Sequence, residues 1–327
     1  MTAKPPSAST GLDWALFVLL GFFWGSSYLF IKIAIEAGLE PFTLVSLRLL
    51  FGLVLLGTVV RIAGERLPRE PRMIGHLAVL GFFSVALPFG LITWAEQTVD
   101  SSLAAVLTGA VPLFVIPFAA LMLPAERITA RGLAGIAIGL LGVAIVVGFD
   151  PASLAGNGLL AQVALIGAAA SYAVGGVYAR RHVHGLRPMI PALFQVAFAL
   201  VMMAIPAVLL EQPWERGVSL EALLAVAWLG CFGSGLAFLL FFRLLGRWGA
   251  TRTSLVAYVL PIWGIALGAI FLQEPIDAAL LIGTALVIAG IALVNMRRSA
   301  FHWARRRTAR PDGVASVTTE GTRGDVG

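Results

Sequence analysis

Hydrophobic positions along this chain do not alternate with polar ones. They gather into ten long apolar runs separated by short polar breaks: residues 14–35, 41–62, 74–95, 101–123, 132–149, 158–179, 188–210, 222–242, 253–273 and 278–296. A helix needs roughly 20 apolar residues to cross the hydrocarbon core of a bilayer, and each run is about that long. The pattern predicts ten transmembrane helices. From Arg297 onward the chain is basic, then rich in Gly, Thr, Asp and Val without periodicity, as in a disordered tail.

The runs repeat. Residues 94–146 resemble residues 242–294: each stretch carries one proline (Pro112, Pro261), then a glutamate (Glu126, Glu274). A helix-capping residue comes three positions later (Thr129, Asp277), then a glycine pair (Gly135 and Gly142, Gly283 and Gly290). From the glutamate onward the offset is 148, as from 126 to 274; at the prolines it is 149, as from 112 to 261, which places one extra residue around 123–125. At offset 148 Phe23-Trp24-Gly25 also falls on Ser171-Tyr172-Ala173 and Lys32 on Arg180, and Pro41 matches Pro188 after a one-residue slip. The unit is therefore five spans. Five is odd, so the second unit enters the membrane inverted. The predicted fold is an all-α integral membrane protein of ten transmembrane helices in two inverted five-helix repeats, residues 13–150 and 151–296. A short N-terminus (1–12) precedes them and a tail (297–327) ends the chain. Inverted repeats rocking about a midplane site are a transporter architecture.

Composition agrees. Of 327 residues 59% are hydrophobic and 12% charged, against about 25% charged in soluble domains. The net charge of +6 is therefore not a nucleic-acid footprint. Arginines crowd the even-numbered connections: Arg61, Arg66, Arg69 and Arg72; Arg127 and Arg131; Arg180, Arg181 and Arg187; Arg243, Arg247 and Arg252; and the tail from Arg297 to Arg310. The other side holds only Lys32 and Arg216. This bias orients both termini to the cytoplasm. The lone cysteine, Cys231, excludes an intramolecular disulfide. No small-residue cleavage site comes after a short apolar core, so Met1 is expected to begin the mature protein.

The sequence resembles the drug/metabolite transporter superfamily, specifically ten-span permeases built from two EamA domains. The resemblance rests on residues 22–27 (Phe-Phe-Trp-Gly-Ser-Ser), Pro41 with Arg48, residues 249–254 (Gly-Ala-Thr-Arg-Thr-Ser), Pro261, Gln273-Glu274-Pro275, Gly283 and Gly290. No one element is specific, but the ordered set is. It covers nearly everything but the tail. It implies a bacterial inner-membrane permease, usually an exporter of small metabolites or amino acids. One departure is Pro124-Ala125 before Glu126, where the family has Leu-Gly.

Several residues stand out within the spans. Arg48 is the formal charge well inside one, seven residues past Pro41 and roughly 10 Å down the helix. A charge at that depth either faces a cavity or partner or snorkels to the headgroups. The equivalent place in the second half is Gln195. Trp24, Ser27 and Tyr28 share one helical face; Tyr172 is equivalent to Trp24, and Tyr258 lies three residues before Pro261. Midspan polar-tipped aromatics need a partner or a wet cavity, or they pack between helices with incidental hydrogen bonds. Trp24, Ser27, Tyr28, Arg48, Tyr172 and Tyr258 form the expected substrate cavity. Pro112 and Pro261 each delete a backbone hydrogen bond, as hinges or as static kinks. Gly135/Gly139 and Gly264/Gly268 are small-residue packing faces.

Three functions compete: a secondary transporter of small metabolites or amino-acid-like compounds, an intramembrane enzyme, and a non-transporting scaffold or receptor. His182 and His184 sit in a basic connection with no Cys or carboxylate nearby, so no metal is expected there. Gly233-Ser234-Gly235 is not a nucleophile elbow, and no phosphate-binding loop occurs. The reading is therefore a transporter with no enzyme activity and no cofactor. Its expected partners are a small-molecule substrate and the bilayer, not nucleic acid; a homodimer is left open. Carboxylates nearest the membrane (Glu36, Glu40, Glu96, Asp100, Glu126, Glu274, Asp277) all lie at span ends, which favours facilitated or exchange transport, or weak coupling through the outer-side carboxylates, over coupling by a midplane carboxylate.

Overall fold

The computed structural model describes residues 11–123, 128–148, 157–183, 185–215, 217–248, 253 and 255–307, with backbone alone at 157, 245 and 296–307. They form ten helices, with no strand among the described residues. These are α1 (Gly11–Glu36), α2 (Pro41–Ile62), α3 (Pro71–Ala95), α4 (Ser101–Met122), α5 (Ala130–Val147), α6 (Asn157–His182), α7 (Met189–Glu211), α8 (Leu220–Trp248), α9 (Val256–Phe271) and α10 (Ala278–Arg307). Nine are long and apolar enough to cross a membrane; α9 has 16 residues.

Local chemistry starts them where the sequence says. Pro41 and Pro71 occupy first-turn positions, where a missing N–H costs nothing. Thr129 caps α5 by accepting from Gly132 N at 3.2 Å, and Asp277 caps α10 by accepting from Leu280 N at 2.7 Å. One expectation fails: α10 does not end at Met296 but carries on to Arg307. The residues it adds include good helix formers such as Ala and Arg, and no Pro or Gly interrupts them. The expected disorder of 297–307 is thereby corrected; 308–327 lie outside the described residues, as do Glu126 and His184.

The repeat symmetry is written in the helix crossings. At the α5–α10 seam a Cβ on Gly135 would lie 2.8 Å from Gly290 O, and one on Gly142 would lie 2.6 Å from Gly283 O. The repeat maps 135 to 283 and 142 to 290, so exchanging the halves maps this seam onto itself. That is a two-fold axis, and since its partners run antiparallel it lies in the membrane plane. The same exchange relates two other crossings. A Cβ on Gly230 of α8 would lie 2.5 Å from Arg48 O on α2; one on Gly81 of α3 would lie 2.9 Å from Gln195 O on α7. Both glycines sit at π-helical turns: Gly81 directly precedes the segment Phe82–Ala86 of α3, and Gly230 lies inside the segment Leu229–Leu236 of α8.

The start of α1 and the end of α8 meet at one face of the bundle, and the connections of α2 to α3 and α6 to α7 meet each other through arginine. There Arg247 Nη1 pairs with the buried Asp13 at 3.0 Å, and Arg187 pairs with Glu65. On the opposite, arginine-poor face two carboxylates from the second half cap helices of the first. Glu211, at the end of α7, accepts from Phe42 N at 2.8 Å and from Thr43 N and Oγ1 at 2.6 and 2.7 Å, at the start of α2. Glu274, past α9, accepts from Ser101 N at 2.7 Å, Ser102 N at 2.9 Å and the Ser102 hydroxyl, at the start of α4. Both satisfy amides that a helix start leaves unbonded, and both meet its positive end.

The seam can be tested directly. A Cβ on Gly290 would fall 2.6 Å from both Gly135 O and Gly139 N. Gly290→Val is expected to destabilise by about 1–3 kcal/mol, read as a lowered melting temperature in detergent. Gly176→Ala, where nothing lies within 4 Å, should hold or slightly raise it.

Candidate functional site

Arg48 is the centre of the membrane-embedded polar groups. It is 4% exposed, so it does not reach the headgroups, and the snorkelling reading is set aside. Its Nε donates to Ser234 Oγ on α8 at 2.9 Å, and its Cζ lies 4.0 Å from the centroid of Phe89 on α3. A cation over a desolvated aromatic face gains on the order of 2 kcal/mol, and a hydrogen bond to a charged group about 1.5–3 kcal/mol. These two grips hold the guanidinium by its root and its face. Among the described residues no acceptor is bonded to Nη1 or Nη2. Those groups point past Gly233, where a Cβ would lie 3.5 Å from Arg48 Nη2 and 2.9 Å from Ser27 Oγ. The absence of a side chain at Gly233 keeps the fork and the Ser27 hydroxyl clear of α8.

Tyr28 and Tyr172 complete the group, both interacting electrostatically with Arg48. The Tyr28 hydroxyl is bonded to Thr108 Oγ1 at 2.6 Å, which ties α1 to α4. Ser27 is buried and donates to its own helix at Phe23 O, 3.1 Å away. Thus Ser27, Tyr28, Arg48 and Tyr172 are brought together. Trp24 stands at the edge, its ring 5.4 Å from Phe241 and 6.3 Å from Phe238 on α8. Tyr258 is elsewhere: its hydroxyl accepts from Asn295 Nδ2 at 2.9 Å, which joins the start of α9 to the end of α10. The two prolines differ in effect. α4 breaks at Ala110, two residues before Pro112, whereas α9 runs unbroken through Pro261. Pro261 packs beside the break in α4, for a Cβ on Gly109 would lie 2.9 Å from Pro261 Cγ.

Ser234, Phe89, Gly233 and Thr108 escaped the sequence reading. Ser234 and Gly233 sit in the π segment of α8, which has no sequence signature, and the Phe89 ring is one of many in the spans. Thr108 had one visible signal, a hydroxyl at midspan. The grip is also one-sided: Gln195, the counterpart of Arg48, is buried and carries no charge. Two clefts stand out on the surface, and neither includes Arg48. One is an apolar groove on the flank of α1 and α9, lined by Trp14, Val18, Phe22 and Trp263; the other lies beside Glu211 and Thr43.

A ten-helix bundle of two inverted repeats around a half-gripped arginine defines a membrane transporter. The chain belongs to the EamA-like transporter family, whose model matches residues 13–148 and 159–296. It is 31% identical over 294 residues to the inner membrane transporter YedA of Escherichia coli (strain K12), covering 89% of this chain and 92% of that one. It is 27% identical to a transporter of Archaeoglobus fulgidus, covering 87% and 99%. It is 25% identical to a Salmonella typhimurium protein named "Probable amino-acid metabolite efflux pump", covering 92% and 99%. A solved crystal structure, 23% identical, shares the fold with a TM-score of 0.64 over 88% of this chain and 98% of that one.

Ser234→Ala removes the Nε acceptor and leaves a buried charged donor without a partner. It is expected to lower stability by about 2 kcal/mol, measured by thermal melting in detergent. Ser234→Thr, which keeps the hydroxyl, should recover part of it.

Proposed function

We propose that this protein is a secondary transporter that moves small, amino-acid-like or carboxylate-bearing metabolites across the inner membrane by alternating access, as an exporter with both termini cytoplasmic. The observation that carries the reading is the free fork of Arg48. A buried guanidinium whose Nε and face are held, with its terminal N–H groups unspent, is set to take a carboxylate by two parallel bonds. Ser27, Tyr28 and Tyr172 would supply hydroxyls beside that anion, with Trp24 at the edge of the cavity. Tyr258 falls outside this reading, because its hydroxyl, at the start of α9, is engaged with Asn295. Pro112, two residues past the break in α4, is the hinge of the first half, and Pro261, which packs against Gly109 beside that break, is the hinge of the second. The family and the name of the Salmonella relative support a metabolite efflux role. Charge bias in the connections supports the orientation. The reading gives the chain no catalytic role, since the polar groups at depth include no nucleophile bonded to a base.

Counterflow in liposomes with labelled amino acids and small carboxylates tests this. Arg48→Lys keeps the charge but loses the fork, and its transport should fall roughly tenfold, the loss of about 1.4 kcal/mol of binding. Arg48→Ala should abolish it. Wild-type transport by Arg48→Ala would remove Arg48 from the site.

A further inference from the structure

Glu96 is the residue immediately after α3, and none of its surface is exposed. Both of its carboxylate oxygens lack a hydrogen-bond partner. The cation beside it does not answer this. Lys32 Nζ, on α1, donates to the backbone carbonyls of Glu96 and Val99 at 2.9 and 3.1 Å, not to the carboxylate. The hydroxyls of Thr93 and Ser101 are also buried without partners. Further charges face Glu96 from the packed elements: Arg48 on α2 and Glu274 beyond α9. Glu96 also acts on the Tyr28 hydroxyl of α1. Asp100, in the turn before α4, interacts with Glu274 and Lys32. So three carboxyl groups act on one another here, two of them beside Lys32, and Glu96 is sealed from water with no donor.

A buried carboxylate without a donor is unfavourable by several kcal/mol, so such a group carries a proton or becomes wet. The contact between Glu274 and the start of α4 lies close enough for the Glu274 charge to act on Glu96. That contact spans the two repeats on the arginine-poor face. It is tight: a Cβ on Gly268 would lie 2.9 Å from Ser101 Oγ and closer still to Glu274 Oε2 and Ser102 Oγ. We propose that Glu96 is the proton-binding residue of the transport cycle: it is neutral while the arginine-poor face is closed, and its ionisation releases the Glu274 contact that closes that face. This deepens the transporter reading and rests on it.

The sign comes from the surroundings. Burial pushes the Glu96 carboxyl well above the usual carboxylate range, Lys32 and Arg48 offset this only in part, and Glu274 adds to it. Burial and Glu274 push Asp100 up as well. A raised carboxyl favours the closed arrangement fully at pH below its ordinary range, and that stabilisation is lost as pH rises through its elevated value. Above that point Glu96 adds a third negative charge beside Glu274 and Asp100, and the two halves separate there. The proton leaves to the water that enters. Arg48 links the two events: an anion bound to its fork cancels the positive field that helps Glu96 ionise. Anion and proton therefore strengthen each other's binding, by the same factor in each direction.

The full chain in lipid nanodiscs, with Cys231→Ser and spin labels at Gln97→Cys and Ile276→Cys, reads the opening of this face without any substrate. The wild-type background should show one short distance at acid pH and a growing longer population as pH rises. Glu96→Gln should keep the short distance throughout. Glu274→Gln should show the long one at every pH. Infrared spectra of the unlabelled protein should contain a protonated-carboxyl band that persists above the ordinary carboxylate range and that Glu96→Gln removes. Distances that ignore pH, a Glu96→Gln titration like wild type, or no such band in wild type would each overturn the proposal. The infrared readout stands without any Glu96 variant that folds. Failure of the transporter reading itself would appear instead as absent counterflow, with these readouts unchanged.

Discussion

Where helices of the two halves cross at glycine, backbone touches backbone. Lipid offers helices no hydrophobic gain for associating, so close packing and interhelical bonds hold them together. In this bundle the close packing falls at glycines that the repeat relates: 135 with 290, 142 with 283, 230 with the carbonyl of Arg48, 81 with that of Gln195. Each approach is too near for any side chain to be added without a shift. The rest of the structure depends on this. Only at such distances can Ser234 on α8 reach the guanidinium on α2, or Glu274 reach the amides of α4.

Buried charge is the second constraint, and the protein meets it differently at its two levels. At the arginine-poor face, Glu211 and Glu274 are matched to helix starts, so each carboxylate has amide donors. At midspan Arg48 has a hydroxyl and an aromatic face but no counter-charge within bonding distance among the described residues. Arg48 and Glu96 are not bonded to each other; the two interact only through space. The positive charge at the heart of the bundle is thus left to be neutralised by something that comes and goes. The electrostatic design and the proposed anion selectivity are one fact.

Much of the fold was legible because it depends on counting. Span length, an odd number of spans per repeat, and proline and glycine at a fixed offset need no coordinates. The caps at Thr129 and Asp277 are local and were readable for the same reason. Arg48 stood out because a charge in a span is conspicuous. What holds Arg48 did not, since Ser234 lies 186 residues away in the chain. Trp24 and Tyr258 show the limit from the other side. Both are polar-tipped aromatics in spans, but helical phase alone does not say which neighbour the ring meets. The role of Glu274 was hidden similarly. Its nearest capping site is its own, at Asp277, yet it serves a helix in the other half. The end of α10 was misplaced because a change in polarity marks where a membrane ends, not where a helix does.

The π-helical turns bear on how the arginine is held. A π turn is an α-helix with one residue too many, and such turns recur at functional sites. Ser234 lies inside the one in α8, and Phe89 lies three residues past the one in α3. A surplus residue of this kind sets the side chains beyond it roughly 100° further round the axis than an unbroken α-helix would. Both groups that grip Arg48 are thus mounted on, or next to, a dislocation in an otherwise regular lattice of bonds. The glycine seam between α5 and α10, by contrast, lies on helices that carry no such turn.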